Sequence, residues 1–184
     1  MRLDGPVNAV LLQSGLVEAI DDRTVARYRI WPFNNLFFAS DLFSYVGSDR
    51  VYPVFPDQAL SLWTQVQLTN CATVLDIGTG SGVLAILAAT KGANVTVIDT
   101  NARAIEIATF NAALNGLSTR LRILQQSFQD CRRQPYSLVV SNPPFTAVPD
   151  GRDWYLHGSA GPTGQQVIDQ ILSRLSDLLS PALG

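Results

Sequence analysis

With 184 residues and a formal charge of −2, the chain suits one ordinary domain with a small extension. Hydrophobic residues make up 47%, enough for a core, and charged residues only 15%, yet no apolar run reaches membrane-span length. The near-neutral charge excludes a general pull toward nucleic acid while leaving room for a local patch, and Cys71 and Cys131 lack metal-ligand spacing and read as reduced cysteines of a cytoplasmic protein.

Val7, Val10, Leu11, Leu16, Val17 and Ile20 recur at helical spacing and predict an amphipathic helix over residues 6–20. The stretch VARYRIWPFNNLFFASDLF, rich in aromatic and β-branched residues around Asn34–Asn35, predicts two short strands and a turn. In YPVFPDQALSLWTQVQ, Pro56–Asp57 marks a helix start, and Leu60, Leu62, Trp63 and Val66 give it a mixed apolar face. Residues 1–52 thus read as a helix-plus-hairpin extension and residues 53–184 as the main body.

In the body the rhythm becomes strand, loop, helix. TVLDIG is a short apolar strand, and GVLAILAATKG a helix closed by Gly92 with Lys91 in its last turn. NVTVID is a second strand, NARAIEIATFNAALNG a helix ended by Asn115–Gly116, and RLRILQ and YSLVVS are further strands. In TGQQVIDQILSRLSDLLS, Ile168, Ile171, Leu172, Leu175 and Leu179 form an apolar stripe. Alternating β and α elements imply an α/β fold, a mainly parallel sheet covered on both faces, with ligands beyond the carboxyl ends of its strands.

Between the first body strand and its helix, Gly78, Gly80 and Gly82 stand at every second position. Glycines there let the backbone turn sharply and approach a ligand closely. Val83 breaks the nicotinamide-type G-x-G-x-x-G spacing, which disfavours an oxidoreductase, and no Gly-Lys-Ser/Thr follows to make a Walker loop. Asp76 precedes the loop, and Asp99 ends the next strand, where an acid can accept two hydrogen bonds from a ribose diol.

Over roughly residues 50–184 this combination resembles the class I S-adenosylmethionine-dependent methyltransferases. The resemblance implies a Rossmann-like sheet of order 3-2-1-4, with S-adenosyl-L-methionine as cofactor and S-adenosyl-L-homocysteine as product. It implies that Asp76, Gly78, Thr79, Gly80 and Gly82 hold the methionine part of the cofactor, and that Asp99 and Thr100 hold its ribose. Ser127 and Phe128 stand where the family often has an acid near the adenine; the Phe128 ring has two open uses, packing on the adenine or in the core.

The fourth strand of the body ends in VVSNPPF. Two prolines cannot continue a central strand, and their rigid backbone fixes where the Asn142 side chain and the Pro143 carbonyl point. Both offer acceptor oxygens, which suits a planar NH₂ group whose two hydrogens they can hold, and Phe145 offers a flat face to a planar amide or base. Asn142 to Phe145, with Pro144 between, matches the N-P-P-F/Y signature of amino-methyltransferases, and the surroundings resemble the "methyltransferase small" group and the HemK-like enzymes. The resemblance implies Asn142 and Pro143 as catalytic residues, Asn142 also near the cofactor, and Pro144 and Phe145 against the substrate; Tyr155, in the glycine-rich loop near the same face, is expected against the substrate as well. Trp154 is a further pocket candidate, and His157, the sole histidine, reads as a loop residue without chemical role.

The acceptor expected from the resemblance is first a protein glutamine side chain, then an exocyclic amine of adenine or guanine in rRNA or tRNA, or a small molecule. A non-catalytic cofactor-binding scaffold is the alternative from another class. Arg120, Arg122, Arg132 and Arg133 fall at the amino ends of strands, away from the ligand face, whereas Arg23, Arg27 and Arg29 remain available to phosphates. The resembled HemK-like enzymes begin with a multi-helix substrate domain, unlike the single helix and hairpin expected here. No metal or membrane is implied. The family's fifth strand does not follow the LLSPALG turn, so the expectation is a fragment or a partner-dependent form, with YSLVVS at an open sheet edge that favours self-association.

Overall fold

The computed structural model describes residues 6–52, 68, 72–131 and 134–180. The helix expected after Pro56–Asp57 lies outside these residues, as do Cys71, Arg132 and Arg133.

The extension begins with helix α1 (Pro6–Gln13), followed by strands β1 (Val17–Ile20) and β2 (Arg23–Ala26). The helix expected over 6–20 is therefore cut short. Gly15, at φ 70°, takes the left-handed conformation that ends a helix, and the apolar positions beyond it serve a strand that pairs antiparallel with β2, Ile20 opposite Arg23. The hairpin around Asn34–Asn35 forms as expected, from β3 (Tyr28–Phe33) and β4 (Leu36–Asp41), with Phe33 opposite Leu36. Both asparagines have positive φ, 47° and 63°, the geometry of a two-residue turn matched to strand twist.

The body holds β5 (Thr73–Ile77), α2 (Val83–Thr90), β6 (Asn94–Asp99), α3 (Ala102–Leu114), β7 (Leu121–Gln125), β8 (Leu138–Ser141) and α4 (Gln166–Leu178). The four strands make one parallel sheet of order β7-β6-β5-β8, which is the 3-2-1-4 order expected of a Rossmann-like class I fold. Alternation along the strands splits the core in two. Val74, Val95 and Val97 face α2 and Phe38 of the extension, while Leu75, Ile77 and Ile98 face Phe128, Ile171 and Leu178. Strands buried on both faces read as near-continuous apolar runs, which is why TVLDI and NVTVID were plain in the sequence.

The extension is tied to the body by side chains of α3 that imitate a neighbouring strand. Asn111, wholly buried, accepts from Ala39 N–H at 2.7 Å and donates through Nδ2 to Ala39 O at 2.9 Å and Ser81 O at 2.8 Å. One helical turn on, Asn115 accepts from Phe37 N–H and donates to Phe37 O. Residues i and i+4 of a helix thus satisfy alternate residues on the edge of β4. Arg103 closes the same junction by its ion pair with buried Asp41, which also accepts from Val51 N–H at 2.7 Å.

Two expectations need correction. Only part of the apolar stripe on α4 is covered: Ile171 is buried, as is Leu178 outside the expected set, while Ile168 is 42% and Leu172 61% exposed. The edge beside β8 is not wholly open, because the chain after α4 returns to it: Tyr136 bridges Leu179 in parallel, donating from N–H to Leu178 O and accepting from Ser180 N–H, both at 2.8 Å. Among the described residues, Leu138–Ser141 pair with β5 alone. None of their helices is long and apolar enough to cross a membrane.

Candidate active site

Three segments leave the sheet at one level. Ile77 pairs with Ile98 on one side and Ser141 on the other, so the glycine loop, Asp99 and Asn142 all start within a residue of the same row. The Ser141 hydroxyl donates to Ile77 O at 2.8 Å and fixes that alignment.

The glycine loop is braced from below and open above. Gly78 and Thr79 N–H groups donate to Ile98 O, and Gly80 N–H donates to Asp99 Oδ2 at 2.9 Å. Asp99 Oδ1 accepts from Asn101 N–H at 2.9 Å, and burial raises its carboxyl above the usual range. The Thr79 hydroxyl donates to Asp76 Oδ2 at 2.6 Å. Asp76 is 1% exposed, its Oδ1 has no partner among the described residues, and burial lifts its carboxyl to about 7 although the Thr79 bond pulls the other way. The Ala85 amide also favours the charged form.

This loop fits the methionine end and ribose of S-adenosylmethionine. Gly78 and Gly80 stand at φ 66° and 56°, and a Cβ on either would meet nothing within 4 Å, so the loop's open side is free for a ligand to lie against its backbone. The orphaned Asp76 oxygen behind it is a spare acceptor for a cationic group. Gly82 does a different job: a Cβ there would come within 3.1 Å of Ala108, so its bareness lets the loop close on α3.

Of the remaining expected cofactor residues, Thr100 is exposed beside Asp99, and its carbonyl accepts from Gln125 Nε2. Ser127 is half-buried and caps the short 3-10 turn Phe128–Asp130 by accepting from Gln129 N–H. The Phe128 ring packs in the core with Leu75, Ile77 and Ile98.

On the other side Asn142 is exposed, Pro143 and Pro144 are half-buried, and Phe145 is 75% exposed, an unusual state for a large ring. The segment after Phe145 is held by the glycine-rich stretch beyond it. Thr146 N–H donates to Gly158 O and Thr146 O accepts from Ala160 N–H, while Val148 N–H donates to Gly161 O. Gly164 backs this ladder so closely that a Cβ would lie 2.7 Å from Phe145 O.

A strap from the extension crosses between these two sides. The carbonyls of three consecutive residues are taken from both directions: Ser48 O by Leu156 N–H at 3.0 Å, Asp49 O by Asn101 Nδ2 at 2.6 Å, and Arg50 O by His157 Nδ1 at 3.2 Å. His157 lies between Tyr155 and Tyr52, ring centroids 5.4 and 5.2 Å away. Burial lowers its pKa, so near neutral pH the ring is uncharged, with Nδ1–H free to donate. His157, expected to have no chemical role, has a structural one: it is the peg that joins the loop at Tyr155 to the extension, a strap that local spacing does not announce. Trp154, 52% exposed, stands edge-on to Tyr155. No cluster of metal-ligating side chains occurs among the described residues.

The model of one protein family, the methyltransferase small domain, matches residues 56–153. Curated relatives include a release factor glutamine methyltransferase of Chlorobaculum tepidum, 44% identical over 80 residues, which is 40% of this chain and 27% of that protein. Another is a tRNA1(Val) (adenine(37)-N6)-methyltransferase of Aeromonas salmonicida, 32% identical over 139 residues, 74% of this chain and 55% of that one. Among solved structures, a SAM-dependent methyltransferase from Agrobacterium tumefaciens aligns with a TM-score of 0.61 at 21% identity, over 89% of this chain and 52% of its own. The chain thus spans about half, or less, of the length of the proteins it resembles.

Proposed function

Because the chain belongs to the methyltransferase small domain family, whose cofactor is S-adenosylmethionine, we propose that it methylates the nitrogen of a planar amide or amine. The observation that carries this reading is the shared row at Ile77, which sets the glycine loop, Asp99 and the Asn142–Phe145 segment side by side at the carboxyl ends of adjacent strands.

In this reading Asp99 accepts from the ribose hydroxyls, and Asp76 and the loop around Gly78 and Gly80 hold the methionine end. When bound, S-adenosylmethionine supplies a methyl group on a sulfonium, reactive enough for in-line displacement without a metal. Asn142 Oδ1 and the Pro143 carbonyl take the two N–H groups of the acceptor and turn its lone pair toward the cofactor side. The same two oxygens favour the positive charge that develops on nitrogen as the N–C bond forms and the C–S bond breaks. The spare proton then leaves to solvent, so no strong general base is needed. Phe145 packs on the plane of the acceptor, and most of the rate gain comes from holding the reactants in line.

Two acceptors present such a group. A glutamine side-chain amide is supported by the relative of higher identity, and the exocyclic amine of adenine by the relative aligned over much more of this chain. The test is titration with S-adenosylhomocysteine, followed by methyl-labelled cofactor offered to a glutamine-bearing release factor and to tRNA. The reading expects binding and label in one of the two. Binding with no transfer to either would favour a scaffold, and absence of binding would remove the cofactor assignment.

A further inference from the structure

The cofactor brings a charge that the three segments leaving the sheet at Ile77 do not answer. The methionine end of S-adenosylmethionine carries an ammonium and a carboxylate. Asp76 suits the ammonium, whereas the carboxylate is best met by a cation that donates hydrogen bonds. Residues 73–90, 94–102 and 141–151 hold no lysine or arginine. Arg103, next along the chain, is engaged by Asp41, and Arg152 is exposed.

Arg50 stands on the strap that crosses between the two sides. Its own carbonyl is taken by His157 on the acceptor side. The carbonyl before it, on Asp49, is taken by Asn101, two residues after Asp99 on the cofactor side. The Arg50 guanidinium lies 5.9 Å from the Phe43 ring centroid, 5.4 Å from Tyr52 and 5.8 Å from Tyr155. Contacts with ring faces answer the charge of a guanidinium, but they do not replace acceptors for the N–H groups in its plane. Among the described residues, Arg50 Nε is buried without a hydrogen-bond partner, and no carboxylate lies within 4.0 Å of the side chain. A buried donor left without an acceptor is costly and uncommon, so this one calls for a ligand oxygen.

We propose that Arg50 takes the carboxylate of the cofactor's methionine end, in the paired fork by which a guanidinium meets a carboxylate. This rests on the proposed seating of that end at Asp76, Gly78 and Gly80, and it supplies the positive pole that those residues lack. It also makes the extension part of the cofactor seat, with the body holding the ammonium and ribose and the strap holding the carboxylate. An acceptor phosphate offers the same kind of oxygen, and the experiment separates the two sources.

Calorimetric titration compares S-adenosylhomocysteine, its carboxyl methyl ester, and methylthioadenosine, which lacks the amino-acid end. The proteins are wild type, Arg50→Gln, Arg50→Lys and Arg152→Gln. Wild type should bind the ester at least about tenfold more weakly than the free acid. Arg50→Gln should bind the acid about tenfold more weakly than wild type does, with acid and ester nearly equal and methylthioadenosine unchanged. Arg50→Lys should recover part of the loss, because it restores the charge without the planar fork. Arg152→Gln should match wild type with all three ligands. Equal affinity of wild type for acid and ester would overturn the proposal, and that comparison, with Arg50→Lys, decides the question even if Arg50→Gln fails to fold. A folded Arg50→Gln that binds the acid as wild type does would also overturn it, and a raised KM for tRNA in that variant would assign Arg50 to the acceptor. Equal weakening of all three ligands would show a structural role instead. None of these outcomes depends on the methyl acceptor, so methylation at nitrogen is tested separately.

Discussion

The two halves of the site are built in different ways. On the cofactor side Asp76, Thr79, Gly80 and Asp99 come from adjacent strands, brace one another by hydrogen bonds and are largely buried. On the acceptor side Asn142 and Phe145 are exposed, and their surroundings are assembled from the strap at Ser48–Arg50, the loop at Tyr155–His157 and the glycine-rich ladder. The first half is braced by hydrogen bonds among its own residues. The second depends on contacts between segments far apart in sequence, and its exposed groups stay free for an acceptor. In the proposed reading the buried half seats the cofactor and the exposed half leaves room for the acceptor.

The sharpest separation of the halves comes from Asn142→Ala. Its amide is used mainly at the acceptor seat, so kcat should fall by about 100-fold or more, the usual cost of losing one preorganised polar partner. Titration with S-adenosylhomocysteine should give the wild-type dissociation constant; a variant that turns over normally would leave the acceptor seat without its main residue.

Asn111→Leu tests whether the extension and the cofactor loop are one unit. It leaves Ala39 N–H, Ala39 O and Ser81 O without partners in a wholly buried place, so thermal or urea unfolding should show a loss of about 2–3 kcal/mol. Asn115→Ala, at the more exposed end of the same clamp, should cost less than about 1 kcal/mol. Equal losses at both would mean that burial of the clamp is not what counts.

Asp99→Ala acts on the opposite half. Loss of hydrogen bonds to a charged group costs about 1.5–3 kcal/mol, so S-adenosylhomocysteine should bind at least about tenfold more weakly, while kcat at saturating cofactor stays close to wild type. An unchanged dissociation constant would remove the ribose assignment.

The last test is in pH. The folded protein holds Asp76 protonated up to about 7, whereas an unfolded chain releases that proton near 4. Between these values the folded state binds more protons, so the cofactor-free protein should lose stability as pH rises through this window and level off above it. Asp76→Asn should flatten that dependence. A melting temperature of the wild type that rises steadily from pH 4 to 7 would show that the carboxylate is better compensated than its orphaned oxygen implies.

Local features were legible in the sequence; distant ones were not. The turn at Asn34–Asn35, the glycine loop, Asp99 and the strand stop at Pro143–Pro144 each follow from residues a few positions apart. The helix expected over 6–20 failed because Val17 and Ile20 suit either period, and the stop at Gly15 was outweighed by the apolar spacing. The clamp of Asn111 on Ala39 joins residues 72 apart, and His157 meets Arg50 across 107. Nothing in the spacing of a single helix or loop announces such a partner, so an asparagine in a helix and a lone histidine read as neutral until the fold brings their partners in.

The proposed reaction stands or falls on nitrogen being the atom methylated. Its most direct test is mass-spectrometric mapping of the product after incubation of tRNA and a release factor with methyl-labelled S-adenosylmethionine. Label should appear on an exocyclic base amine or a glutamine amide nitrogen and be lost in Asn142→Ala; label on carbon or oxygen would rule out methylation at nitrogen.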